Sequence, residues 1–240
     1  MAVNSRDLAN LDKDIERVEF KVTVLREDEP KVLALIGQMD GQKRKVYFYD
    51  TKGLALKSRA LVLRARLTQG EADSTVKLRP ADVKNDNAAW RKIDKDKRRV
   101  ELDVVGAKQI ASVKVDRTLK PDALAGAGTA KSLFSDRQAA LIEAYGDGIT
   151  LADVEVLGPV EARVWDKLHV AGLTHDVSIE KWALPNDTHF YELSFKVKRN
   201  EANDANSAFE DALARLEIKV AAEQIAKTEQ VLEFFAARLP

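Results

Sequence analysis

The sequence predicts an α+β fold: one domain built on a large antiparallel sheet that curls or closes on itself, with its charged face turned inward. Three observations predict this. Charged residues recur at every second position inside β-like runs. Glu19 and Lys21 flank Phe20, Arg64 and Arg66 flank Ala65, Lys77 and Arg79 flank Leu78, and Glu101 and Asp103 flank Leu102. Glu192, Ser194, Lys196 and Lys198 alternate with Leu193, Phe195 and Val197. Side chains two apart share a strand face, so each run has one apolar and one ionic side. At least eight such runs occur, with few helices among them. Amphipathic stripes late in the chain can cover apolar strand faces, and a sheet of this size tends to close and so lose its exposed edges.

Taken in order, residues 15–25 read as a strand with Val18, Phe20, Val22 and Val24 on one face. Residues 31–36 either continue it or form a short helix. Residues 43–49 are rich in aromatic and β-branched side chains and make a second strand. Asp50-Thr51-Lys52-Gly53 is turn-like, with a helical turn at 54–57. Residues 61–68 and 74–79 form a hairpin, ended by Pro80, which cannot donate to a ladder. Residues 81–93 suit a helix carrying Trp90, and 97–105 and 110–117 two strands around a turn at Gly106. Ser135 followed by Gln138 has capping-box spacing, and Gly146 closes that helix. Four further strands are expected at 150–156, 160–165, 177–182 and 190–198, with Leu157-Gly158-Pro159 as a turn or bulge. Ser207 and Glu210 suggest another capping box. Phe209, Leu213, Leu216 and Val220 form one stripe, and Ile225, Thr228, Leu232, Phe235 and Leu239 a second. These give two helices, or one kinked helix, over 201–239 that cover the barrel or serve a dimer contact. Residues 1–14 are expected to be a flexible segment ahead of the single domain at 15–240.

Composition narrows the function classes. The chain has 240 residues, with 39 basic and 39 acidic side chains. That balance argues against a general nucleic-acid or membrane-surface binder. It contains no cysteine, which excludes disulfides, thiolate metal sites and a thiol nucleophile. Neither a signal peptide nor a membrane-spanning run is visible, so a cytoplasmic monomer or homodimer is expected. His169, His175 and His189 lack metal-ligand spacing. Gly126-Ala127-Gly128 lacks the rest of a phosphate-loop or dinucleotide fingerprint.

Each strand taken singly also fits an ordinary half-buried sheet with its ionic face in water. Inside a closed barrel those faces would instead need water, paired carboxylates or a bound anion, because like charges about 4 Å apart repel by roughly 4 kcal/mol at an effective dielectric near 20. Arginines at two-residue spacing suit phosphate oxygens, which their forked donors grip bidentately. Glu19, Glu101 and Asp103 are hard oxygen ligands for Mg²⁺ or Mn²⁺, which commonly bridge carboxylates and substrate phosphates. The chemistry so assembled is metal-assisted attack of water on a phosphoryl group.

These residues resemble the CYTH, or triphosphate tunnel metalloenzyme, family. The resemblance is carried by Glu19-Phe20-Lys21, by Tyr47-Phe48-Tyr49-Asp50-Thr51 followed by Leu54 and Leu63-Arg64-Ala65-Arg66, and by Thr75-Val76-Lys77-Leu78. Glu101-Leu102-Asp103, Lys114, Arg117 and Glu192-Leu193-Ser194-Phe195-Lys196 follow in the expected order. The resemblance implies a closed or nearly closed eight-stranded antiparallel tunnel with a charged interior and helices packed outside. It implies a triphosphate or polyphosphate ligand gripped by Lys21, Arg64, Arg66, Lys77, Arg79, Lys114, Arg117 and Lys196. Glu19, Glu101, Asp103, Glu161 and Glu192 become candidate ligands of Mg²⁺ or Mn²⁺, with Glu101 and Asp103 as catalytic candidates. The implied activity is divalent-metal-dependent hydrolysis of inorganic or a small organic triphosphate. The alternatives are a polyanion binder without turnover and an adenylate cyclase. Arg17, Arg163 and Ser194 stand where carboxylates are usual in the family, so the phosphate-gripping set is better kept than the metal-holding set.

Overall fold

The computed structural model describes residues 8, 10–106, 108–124, 128–219 and 227–238. Its strands are Arg17–Thr23 (β1), Gln42–Asp50 (β2), Leu61–Thr68 (β3), Glu71–Leu78 (β4), Arg99–Val105 (β5), Lys108–Leu119 (β6), Glu155–Leu168 (β7), Val177–Ala183 (β8) and His189–Lys198 (β9). The helices are Glu29–Ile36 (α1), Ala55–Ser58 (α2), Ala130–Leu133 (α3), Asp136–Tyr145 (α4), Ala202–Arg215 (α5) and Lys227–Ala236 (α6). The strands close into a barrel in the order β1-β5-β6-β4-β3-β2-β7-β8-β9. Neighbours pair antiparallel except β1 and β5, which run parallel with Glu19 opposite Asp103. The expected eight-stranded antiparallel tunnel is therefore a nine-stranded mixed barrel. Local periodicity marks strands but not their partners, so the insertion of β1 between β5 and β9 left no trace in it.

Outward faces carry most of the apolar core. Val18, Phe20 and Val22 alternate with Glu19 and Lys21 on β1 and are buried under helices. Phe20 stacks on Phe195 of β9 at 5.0 Å between ring centres, and Phe209 of α5 meets Phe195 edge-on at 4.9 Å. Burying each such ring contributes roughly 1.5–3 kcal/mol. On the opposite wall, the Ser135 hydroxyl accepts from Gln138 N, and Gln138 Oε1 accepts from Ser135 N at 2.8 Å, the expected capping box. Gln138 Nε2 also donates to the carbonyls of Ser74 and Val115, each at 3.0 Å, which stitches α4 to β4 and β6.

Residues 31–36 take the helical one of their two readings and belong to α1. Other local expectations are revised. The segment 81–93 holds only a short 3-10 turn, Ala89–Lys92. The two strands expected at 150–156 and 160–165 are one strand, β7, with its register against β2 shifted between Val46 and Phe48. Gly158 sits in that irregularity at φ +133°, where an added Cβ would lie 2.9 Å from the Val46 carbonyl. Helix α5 starts at Ala202, so Ser207 lies inside it and its hydroxyl bonds back to the Asn203 carbonyl rather than capping. Of the segment 1–14, residues 1–7 and 9 lie outside the described residues, whereas Leu8 is buried and its N–H donates to Asn203 Oδ1. Val220, Ile225 and Leu239 of the terminal stripes also lie outside them.

The last helix departs from the expected outer layer. Val231 and Leu232 of α6 share a buried cluster with Val46, Phe48, Leu157, Val160, Trp182 and Leu184. Phe48 and Trp182 face inward, since they line the same cavity as Arg64 and Arg66. Helix α6 thus packs on an apolar part of the barrel interior rather than on its outside. No described helix is long and apolar enough to cross a membrane.

Candidate functional site

The barrel encloses a cavity of about 490 Å³. Strand alternation builds its wall. Glu19 and Lys21 come from β1, Arg64 and Arg66 from β3, Thr75 and Lys77 from β4, Glu101 from β5, Lys114 from β6 and Lys196 from β9, with Arg79 just beyond β4. Asp103, two residues after Glu101, reaches the same space and is wholly buried. Lys57 enters from the turn after β2. Buried Asp50 accepts from the backbone N–H groups of Thr51, Leu56 and Lys57, fixing α2 and with it the position of Lys57.

Charges inside form a connected lattice. Lys21 Nζ lies 3.0 Å from Glu19 Oε2 and 3.0 Å from Asp103 Oδ1. Asp103 Oδ2 takes Lys77 Nζ at 2.7 Å, with Arg79 Nε at 3.4 Å. Lys196 Nζ bridges Glu101 at 3.0 Å and Glu19 at 3.5 Å, and Lys114 Nζ reaches Glu101 at 3.3 Å. Arg66 pairs with Asp73 at 3.0 Å.

These contacts set the ionisation of the site. Burial alone would raise the Glu19 carboxyl, but Lys21 and then Lys196 outweigh it and bring its pKa down to about 2. Asp103 is likewise held well below the usual carboxylate range by Lys21, Lys77 and Arg79 against the cost of burial. Burial pulls the Lys21 ammonium down, yet Asp103, Glu19 and Glu192 outweigh it and raise its pKa. Lys77 goes the other way. Burial, aided by nearby Lys21 and Arg79, outweighs Asp103 and Glu19 and brings it to about 8. Burial, with Arg66 alongside, brings Arg64 down to about 10.

The cations are not fully paired. Arg64 Nε and Arg79 Nε and Nη2 are buried and have no hydrogen-bond partner among the described residues. Arg79 Nε, though close to Asp103, is too poorly aligned to hydrogen-bond. A buried donor left unmade costs about 1–3 kcal/mol, and more when charged.

Most of the site residues expected from sequence converge here. Lys21, Arg64, Arg66, Lys77, Arg79, Lys114, Lys196, Glu19, Glu101 and Asp103 surround the cavity. Glu192 is buried on the inward face of β9, opposite Glu180, and acts electrostatically on Lys21. Two residues do not join them. Arg117 is three residues from Lys114, an odd step that places it on the outer face, where it donates to the Ser132 carbonyl. Glu161 is exposed on β7 beside Lys45, while its neighbours Val160 and Ala162 face inward. Asp116, Arg44 and Glu180 had not been singled out. Asp116 accepts from Thr75 Oγ1 at 2.7 Å, and Glu180 holds Arg44 Nη1 at 2.7 Å and the Trp182 indole N–H at 2.8 Å. The alternations Lys114-x-Asp116 and Ser178-x-Glu180-x-Trp182 carried the signal for two of them.

No family model matches the chain, and no curated protein matches it. Solved structures do. A candidate adenylate cyclase from Bacillus halodurans is 16% identical and aligns over 90% of this chain and 97% of its own, with a TM-score of 0.61. The candidate adenylyl cyclase HpAC1 from Hippeastrum is 14% identical over 92% of this chain and 96% of its own, with a TM-score of 0.63. HpAC1 is described as having a dominant triphosphatase activity. The chain has the CYTH-like tunnel fold. At these identities the shared property is architecture, and activity must be argued from this chain's own side chains.

Proposed function

We propose that the CYTH-like barrel binds a compact polyanion of the triphosphate class, gripped by Lys21, Arg64, Arg66, Lys77, Arg79, Lys114 and Lys196. The observation that carries this reading is the set of buried Arg64 and Arg79 nitrogens left without acceptors on the cavity wall. Phosphate oxygens accept without donating, and guanidinium groups match them bidentately. An anion there would satisfy the orphaned donors and offset the burial of Arg64.

A second reading, hydrolysis of the bound triphosphate, is favoured by the triphosphatase activity described for HpAC1. Conversion of ATP by a cyclase is a third reading, drawn from the cyclase descriptions of both relatives. The Mg²⁺ or Mn²⁺ that the resemblance implies requires oxygen donors free to converge on one point. Glu19, Glu101 and Asp103 are each engaged by one or more lysines, and no group of three or more Asp, Glu or His able to hold a metal occurs among the described residues. This donor set does not fit a resident divalent ion. Asp103, so far below the usual carboxylate range, is also a poor general base. Its contacts suit it to seat Lys21, Lys77 and Arg79 against the ligand.

The test is a panel of tripolyphosphate, ATP and sulfate, each with EDTA, Mg²⁺ or Mn²⁺, scored for melting temperature, phosphate release and cyclic-nucleotide formation. At about 100 times its Kd a ligand adds ~2.7 kcal/mol, or roughly 5–10 °C for a chain this size. Tripolyphosphate should give such a shift and sulfate little. Absence of a shift with every polyphosphate would sink the proposal, and phosphate or cyclic-nucleotide release separates the other two readings.

A further inference from the structure

We infer that tethered ammonium groups take the place of a divalent cation in this barrel, so that the polyanion binds without metal. The inference rests on the anion-binding reading above and concerns what neutralises the carboxylates beside the ligand. Three acidic side chains, Glu101, Glu19 and Asp103, lie on the adjacent strands β1 and β5, the last two directly opposite each other in the parallel pairing. Such facing carboxylates repel unless a cation sits between them. Lys21 Nζ fills the gap between Glu19 and Asp103, at 3.0 Å from each. Lys196 Nζ fills the gap between Glu19 and Glu101, at 3.5 and 3.0 Å. The result is an unbroken chain, Glu101–Lys196–Glu19–Lys21–Asp103, in which both gaps hold a resident ammonium.

A divalent ion entering either gap would have to displace a half-buried lysine, Lys21 or Lys196, already held by the two carboxylates that flank it. The unpaired donors, in contrast, are guanidinium nitrogens on Arg64 and Arg79, on and just beyond neighbouring strands β3 and β4, the donor type that suits phosphate oxygens. An ammonium bridging two carboxylates still presents its remaining N–H to a ligand, since lysine carries three donors. The cavity therefore offers a phosphate chain fixed positive charge from both groups, with no ion to be recruited.

Calorimetric titration of tripolyphosphate into the full chain, once in EDTA and once with Mg²⁺ or Mn²⁺, tests this. After correction for the metal's own affinity for free tripolyphosphate, the two dissociation constants are expected to agree within about threefold. A constant more than about tenfold weaker in EDTA overturns the inference and leaves polyanion binding standing. Binding in neither condition overturns the anion-binding reading and the inference with it. Lys21→Met removes one resident ammonium. It is expected to weaken binding in EDTA by about tenfold or more, with recovery in Mn²⁺ as the ion fills the vacated gap. Equal loss with and without Mn²⁺ counts against the substitution of ammonium for metal. Should that variant fail to fold, Mn²⁺ alone titrated into the wild-type chain decides the matter: no saturable heat is expected, and a tight one-to-one site would overturn the inference.

Discussion

Replacing Asp103 by asparagine keeps the shape of the side chain and removes one charge from the centre of the ion lattice. The wild-type carboxylate is fully buried and faces Lys21 at 3.0 Å, Lys77 at 2.7 Å and Arg79 at 3.4 Å. At an effective dielectric near 20, a pair about 3 Å apart attracts by roughly 5 kcal/mol. Desolvation offsets much of that, and removing one partner of a buried ion pair typically costs about 3–5 kcal/mol because its mate is left uncompensated. Three cations share this partner, so Asp103→Asn should fall at the upper end of that range. For a chain of this length each kcal/mol is worth about 2–4 °C, so a loss near 5 kcal/mol should lower the melting temperature by roughly 10–20 °C. Tripolyphosphate should restore part of the loss, because the anion supplies the missing negative charge. Its melting shift should therefore be larger in the variant than in the wild type. Circular-dichroism melts near neutral pH, with and without tripolyphosphate, measure both quantities. A variant melting within about 2 °C of wild type, or a smaller ligand shift in the variant, would refute the reasoning, since less than about 1 kcal/mol would then be at stake.

Arg64→Met removes a buried guanidinium with an unpaired Nε, so stability without ligand should hold or rise. Tripolyphosphate affinity, measured by calorimetry, should fall by about 1.5–3 kcal/mol, the worth of a hydrogen bond to a charged group. Lys77 titrates near 8 in the fold, below the ~10.4 of an unfolded lysine, so between these values the unfolded chain carries the extra proton. Its contribution to stability therefore rises with pH across that window, while tripolyphosphate affinity falls as pH passes about 8 and the ammonium is lost; Lys77→Arg should flatten the affinity profile between pH 7 and 9.5. Arg117→Ala and Glu161→Ala lie outside the barrel, so both should bind tripolyphosphate as the wild type does and unfold within about 0.5 kcal/mol of it.

How much of this was legible in the chain depended on whether the controlling geometry was local. Inward positions at Glu19 and Lys21, Arg64 and Arg66, Lys77, Glu101 and Asp103, and Lys196 follow from strand period alone, and they surround the cavity together. Arg117 entered the gripping set through the resemblance, although its odd separation from Lys114 puts it on the other face; Asp116 has the right parity. Arg44 sits in Gln42-Lys43-Arg44-Lys45, polar on both faces, where alternation is silent. The course of α6 had a readable sign. Val46-Tyr47-Phe48-Tyr49 is apolar on both faces, as a strand covered on both sides must be. Strand partnership was not readable, because the contact of β1 with β5 joins positions 82 residues apart, as the Lys21–Asp103 bond illustrates.

The single parallel pairing has a consequence for assembly. Directions must alternate around a closed ring of antiparallel strands, so an odd number of strands forces one like-directed seam, and here that seam is β1 against β5. The ammonium–carboxylate chain is drawn from β1, β5 and β9 and straddles the seam on one side and the closing contact of β1 with β9 on the other. Strand β9 is the last to be synthesised, so the charges can come into register only when the far end of the sheet returns to its beginning. A polyanion recognising that register would bind the closed ring and not the open sheet, and would act as a clasp on the closure.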